Sequence, residues 1–178
     1  ESKYLSRYYP RRLMAEVLLD GIDQVLGTST LFDEVAFPGA DKQKTDFYKK
    51  GTRAIELYDA SVNSYFLKTF GRNPREITCE CERSAETSMV QVLHLSNGET
   101  LNPKLADQEN RIAKLLGENQ SDSDIIRTLF LAALAREPIE SEMQKLLAIR
   151  AEYGDDRATA IQDIAWSILT STEFTFNH

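Results

Sequence analysis

A chain of 178 residues, 42% hydrophobic and 28% charged, carries enough apolar material for one domain, or two small ones sharing a core, without disulfide staples. Its 28 acidic residues outnumber its 21 basic ones for a net charge of −7, and no Lys/Arg block is longer than two, so the basic face that neutralises phosphates is missing. Nucleic acid and anionic membrane surfaces are therefore not expected partners, and the longest apolar run, Leu129–Ala135, is far short of the ~20 residues that cross a bilayer.

Along the chain, residues 1–9 are polar and aromatic, and Arg11-Arg12 leads into a segment with Glu16 and Asp20 rather than an apolar export core. The chain begins at Glu1, not Met, which fits an excised C-terminal fragment of something longer. After Pro10, a helix is expected from about Arg11 to Leu26, with Leu13, Met14, Val17, Leu18, Ile22, Val25 and Leu26 on one face and Gly27 as a left-handed cap. Residues 28–50 show no sustained period and read as a long surface loop. Arg53–Leu57 reads as a short strand, and a helix from about Ser61 to Phe70 follows, capped by Gly71.

The segment from Ile77 to Glu82 alternates strictly, Ile77, Cys79 and Cys81 on one side and Thr78, Glu80 and Glu82 on the other. That is the period of a half-buried strand, whose natural partner is 53–57 because a lone strand leaves backbone groups unpaired. A helix from Ser84 or Thr87 to Asn97 follows. Asn102-Pro103 opens another, running to Gly117. Ser121–Asp124 resembles a capping box before the most apolar helix, with Ile125, Ile126, Leu129, Phe130, Ala133 and Leu134, which Pro138 stops. Two more helices run from Ser141 to Gly154 and from about Asp156 to Thr172, and Phe174 and Phe176 are expected to pack back onto them. Short links favour antiparallel neighbours. The expected fold is a single mainly α domain over 1–178, a multi-helix antiparallel bundle with a small two-stranded β insert.

Candidate chemistry centres on the same middle segment. Arg72, Arg75 and Arg83 with Glu76, Glu80 and Glu82 form an alternating charge cluster. It suits either a docking surface that grips carboxylates through guanidinium forks or an internal ion-pair lattice. Cys79 and Cys81 lie two apart on one strand face, which is poor disulfide geometry, and read as free thiols. As metal ligands they would need His94 and His178 to complete a four-ligand site, using every Cys and His in the chain. Small buried thiols under a helix are the plainer reading, and His94, beside Val90, reads as a histidine bonded to a backbone carbonyl. Glu80 and Glu82 would stand about 7 Å apart by strand rise, within the glycosidase range, but one face of one strand is no cleft. Asp20/Asp23 and Asp33/Glu34 read as solvated or arginine-paired carboxylates. Ser84 with His94 lacks a nucleophile elbow. No catalytic set and no cofactor emerge.

Five ordered phrases carry a resemblance: Tyr9-Pro10-Arg11-Arg12-Leu13-Met14-Ala15-Glu16, Phe70-Gly71-Arg72-Asn73-Pro74-Arg75-Glu76, Cys79-Glu80-Cys81-Glu82-Arg83, Leu93-His94-Leu95-Ser96-Asn97-Gly98 and Glu173-Phe174-Thr175-Phe176-Asn177-His178. Together they resemble the C-terminal domain of unknown function 1553 over essentially the whole chain. The sequence departs from the family at Ala135-Arg136-Glu137-Pro138, where a second proline is usual, and at Leu169-Thr170-Ser171, where Asn is usual in the middle. The resemblance implies a large planctomycete-type extracytoplasmic protein, in which a domain of unknown function 1549 and often a cytochrome-c-like domain come first, and sibling domains of the same polypeptide as partners. It implies no chemistry, and Cys79-Glu80-Cys81-Glu82-Arg83 is no haem attachment motif. The expected role is a non-catalytic helical interaction or structural module. The alternatives are part of a composite site for polysaccharide breakdown, lined by Arg72, Arg75, Glu80 and Glu82, or a metal or redox site at Cys79 and Cys81.

Overall fold

The computed structural model describes residues 10–37, 40–58, 61–72 and 100–177. The chain is mainly helical, as expected. The described elements are β1 (Arg11–Arg12), α1 (Ala15–Leu26), β2 (Glu34–Val35), β3 (Gln43–Lys44), a 3-10 turn (Ala54–Glu56), α2 (Tyr65–Thr69), α3 (Leu101–Ala106), α4 (Arg111–Gly117), α5 (Asp122–Leu134), α6 (Glu140–Glu152), α7 (Arg157–Leu169), α8 (Thr172–Thr175) and β4 (Phe176–Asn177). β1 pairs antiparallel with β4, and β2 with β3.

α1 starts later than its sequence period suggests. Arg11 and Arg12 leave the helical path and pair with Asn177 and Phe176, and Leu13 donates its amide to Thr175 at 2.9 Å. The backbone there finds partners in the C-terminal strand that one more helical turn would not supply. Met14 and Val17, expected inside, are 49% and 37% exposed. The buried stripe is Ala15, Leu18, Leu19, Ile22, Val25 and Leu26, the spacing that keeps a helix face against a core. Gly27 takes φ 67°, and its amide and that of Thr28 both reach Asp23 O, closing the helix with the expected left-handed cap.

The described residues of 28–50 contain no helix, but they are not structureless. β2 and β3 form a two-residue ladder, and Val35 bridges Val62. This is the small two-stranded sheet of the first half. The strand expected at 53–57 is instead the 3-10 turn. Its amides have other partners: Ala54 N and Ile55 N donate to Asp20, and Arg53 N to Glu56 Oε2. With those donors satisfied, the segment needs no neighbouring strand. The strand expected at 77–81 lies outside the described residues, as does the helix expected to end at Asn97.

The second half is built of short helices with readable caps. The single helix expected from Asn102 to Gly117 is two, α3 and α4, hinged at Asn110. Asn110 is 1% exposed. Its side-chain oxygen accepts from Ala113 N, and its amide group donates to Lys104 O and Leu105 O. One side chain thus ends α3 and starts α4. Ser64, Ser121, Asp156 and Ser171 cap the N-termini of α2, α5, α7 and α8. α5 ends at Leu134, with Ala135 at φ 54°, ahead of Pro138.

α5 and α7 pack most extensively, and α1 lies against α5. One continuous core joins Leu18, Ile22 and Leu26 of α1 to Ile125, Ile126 and Leu129 of α5 and to Ile161, Ile164 and Ile168 of α7. Phe174 of α8 is 7% exposed and lies over Gly21, where an added Cβ would meet its ring at 3.4 Å. α6 buries no residue fully: Met143, Leu146 and Leu147 rest half-buried on the core, and charged junctions add to that hold. Asp122 at the start of α5 meets Arg150 of α6 at 3.2 Å and Arg157 of α7 at 2.6 Å.

Arg136 makes the second such junction. Its guanidinium donates to both oxygens of Glu142 in α6 at 2.8 and 2.9 Å and to Glu173 in α8 at 2.6 and 2.8 Å. The Arg136 guanidinium, then the amide of Ile139, holds the Glu142 carboxyl at about 2, well below its ordinary 4.5, and Glu173, then Glu142, raises the pKa of Arg136. A depressed acid contributes stability that is complete above its ordinary pKa and is lost as pH falls through its folded value. Glu142→Gln should therefore flatten the loss of stability between pH 4.5 and about 2, read as urea midpoints across that window. A slope identical to that of the parent would rule out this junction as an acid-sensitive tie.

Candidate functional site

Glu16, Asp20 and Asp23 stand four and three residues apart on α1, so a 3.6-residue turn lines them up on one stripe. Each reaches a different part of the chain. Glu16, only 5% exposed, lies 3.4 Å from Arg72 Nε just past α2. Asp20 accepts from Ala54 N at 2.6 Å and Ile55 N at 3.1 Å, with Arg53 Nε at 3.6 Å. Asp23 accepts from Thr28 Oγ1 at 2.7 Å, from Thr30 N at 3.0 Å and from Thr30 Oγ1 at 2.7 Å, and it also takes Lys104 Nζ of α3. Lys104 in turn donates to Thr30 Oγ1 at 2.9 Å.

These contacts differ in weight. Arg53 is 64% exposed, so its pairing with Asp20 adds little, and the two amides make the Asp20 contact specific. Asp23 and Lys104 are 14% and 12% exposed, where a charged pair must be well bonded to justify leaving water. Hydroxyl and amide donors around Asp23 meet that requirement. Arg111 of α4 completes the end of α1 by donating to Val25 O at 2.8 Å and Gln24 O at 3.0 Å, two of the carbonyls a helix C-terminus leaves open.

A cleft of about 450 Å³ opens beside this stripe, lined by Asp20, Asp23, Thr28, Thr30, Thr52 and Arg53 among others. Asp23 spends its four acceptor sites on protein donors, which leaves no lone pair to aim at a substrate, while Asp20 gives one bond from each oxygen to a backbone amide. Asp33 and Glu34 are likewise engaged. Lys44 lies 2.8 Å from Asp33 and 3.2 Å from Glu34, and Asn63 bonds Glu34. The Lys44 ammonium lowers the Asp33 carboxyl, and the Asn63 amide followed by Lys44 lowers that of Glu34. A second groove of about 610 Å³ lies between α3 and α7, with Leu105, Gln162, Asp163 and Trp166 on its walls.

Of the charge cluster singled out from sequence, Arg72 is described. Its side chain is 10% exposed and turned inward, with Nη2 donating to Leu57 O at 3.0 Å beside the Glu16 contact. Arg12 packs near it, over the Phe70 ring at 5.4 Å, and donates to Phe70 O at 2.9 Å. Arg75, Glu76, Glu80, Glu82 and Arg83 lie outside the described residues, as do Cys79, Cys81, His94 and His178. Among the described residues, no group of three or more His, Cys, Asp or Glu side chains is placed to hold a metal. No helix among them is long and apolar enough to cross a membrane. The sequence reading missed Lys104 and the amides of Ala54 and Ile55. The signal for the stripe was present in the four-and-three spacing of its acids on a predicted helix.

Asp23→Ala should destabilise the fold by about 3 kcal/mol, since it strands a mostly buried ammonium and three further donors. The Asp23→Ala/Lys104→Met double variant should lose less than the sum of the single variants, with a coupling of at least about 1 kcal/mol in a denaturation cycle. Additive losses would mean that the two charges do not sense each other.

Comparison with curated proteins and with solved structures finds no match. The PSD1 family, described as a protein of unknown function (DUF1553), matches residues 1–149. That match covers most of the chain and takes in four of the five phrases that carry the resemblance, with Glu173–His178 beyond it, so the chain belongs to this family of unknown function.

Proposed function

We propose that this chain is a non-catalytic helical module that docks on sibling domains of a larger extracytoplasmic polypeptide. The observation that supports this reading most is the use made of its buried charges. Glu16, Asp20 and Asp23 each tie a separate segment to α1, and Arg72 is turned into the same framework. Charges deployed this way position loops, and loops held on a rigid scaffold are what binding surfaces are made of. A composite site for polysaccharide breakdown would need Arg72 to face a substrate, and its 10% exposure with an internal carboxylate partner fits an internal ion pair at that residue, which leaves docking to other parts of the surface. The extracytoplasmic setting and the sibling domains come from the family resemblance.

The test is a titration of this domain against the remainder of its parent polypeptide, expressed separately. The reading expects a saturable complex with a Kd of about 10 µM or tighter, as suits an interface between domains of one chain. A flat titration at concentrations well above that value would eliminate docking as the role.

A further inference from the structure

The stretch from Asp41 to Arg53 is charged unlike the rest of the molecule. It holds Lys42, Lys44, Lys49, Lys50 and Arg53 against Asp41 and Asp46, a local +3 that leaves −10 on the remainder of a chain totalling −7. Three aromatic rings sit at its centre. Phe47 lies 5.1 Å from Tyr48 and 5.4 Å from Tyr58, edge-on at 79° and 88°, and Tyr48 lies 5.7 Å from Tyr58. Phe47 is 61% exposed and Tyr58 58%, while the Tyr48 hydroxyl is enclosed and lacks a hydrogen-bond partner among the described residues. Tyr48 is the fixed base, and the other two rings project from it.

Lys44 is committed to Asp33 and Glu34. Lys49 and Lys50 are exposed and have no ionic partner among the described residues. Hydrogen bonds from its amides hold the loop in shape, with Thr45 N donating to Asp33 O, Phe47 N to the Thr45 hydroxyl Oγ1 and Thr52 N to Lys49 O. A surface already ordered before binding loses less entropy when a partner arrives.

Resting on the docking role proposed above, we infer that Phe47, Tyr58, Lys49 and Lys50 form a recognition surface for an acidic protein segment that carries an aromatic or aliphatic anchor. Charge complementarity sets the sign of the partner, since the two ammonium groups of this stretch without an ionic partner among the described residues, Lys49 and Lys50, are exposed beside the rings in sequence. Ring geometry sets its class. The two exposed rings, Phe47 and Tyr58, cross at 88° and offer no shared flat platform for stacking a sugar, but they leave a notch between edges that accepts a side chain.

The probe is a random glutamate–tyrosine copolymer, measured against polyglutamate and polygalacturonate by biolayer interferometry on the wild-type chain, a Phe47→Ser/Tyr58→Ser variant and a Lys49→Glu/Lys50→Glu variant. The wild type should bind the copolymer at least about tenfold more tightly than polyglutamate, and the aromatic variant should lose that preference. The lysine variant should weaken binding to both acidic polypeptides and remove most of its salt dependence. Both variants alter exposed side chains and should melt within a few degrees of the parent. Unchanged copolymer binding in both variants would overturn the inference. So would tighter binding of polygalacturonate, which would assign the patch to acidic glycans. Full affinity of both variants for the rest of the parent polypeptide would overturn this surface as the docking face while leaving the docking role standing.

Discussion

The structure depends on what α1 does with its two long faces. One face carries Leu18, Leu19, Ile22, Val25 and Leu26 into the core shared with α5 and α7. The other carries Glu16, Asp20 and Asp23, which gather Arg72, the 3-10 turn, the Thr28–Thr30 bend and Lys104 of α3. The helix is therefore both a wall of the core and the post to which the irregular first half is tied. Apolar burial supplies the driving force, but it is not directional. The carboxylates supply direction, because each has to meet particular donors at hydrogen-bond distance.

This division of labour explains why a long stretch with little regular structure can be ordered. Between Thr28 and Ser64 the described chain has two short strands and one 3-10 turn. A segment of that kind cannot rely on its own ladders to satisfy its backbone. Asp20, more than thirty residues away in sequence, satisfies two of its amides directly. Arg136, Asp122 and Asn110 do comparable work in the helical half, where each joins elements whose apolar contacts alone would let them slide. The result places a basic, aromatic loop on a framework whose own charge is strongly negative.

Much of this was legible in the residues. Gly27, Ser121 and Gly154 punctuate where they are expected to, and the apolar periods of α5 and α7 identify the core. The failures share one physical cause, a backbone or charge partner distant in sequence. Arg11 and Arg12 read as helical because their strand partner is at the opposite end of the chain, where no local signal marks it. Residues 53–57 suggest a strand in isolation because the carboxylate that accepts from their amides sits on α1. The split between α3 and α4 turns on the fully enclosed side chain of Asn110, which in sequence is one polar residue among several. The acidic stripe could be seen as a spacing, but not its targets. Of the candidate charge cluster, only Arg72 falls among the described residues, and its inward fork is invisible without knowing that Glu16 lies beneath it.

The most direct test of the stripe as the organising constraint is amide hydrogen exchange on the Asp20→Asn variant. An asparagine keeps one acceptor oxygen and turns a donor toward the second amide, so the pair at Ala54 and Ile55 cannot both be satisfied. The account predicts that these two amides lose protection by about tenfold to a hundredfold while core amides of α5 and α7 keep theirs. Protection unchanged at 54 and 55, or lost equally across every helix, would contradict it.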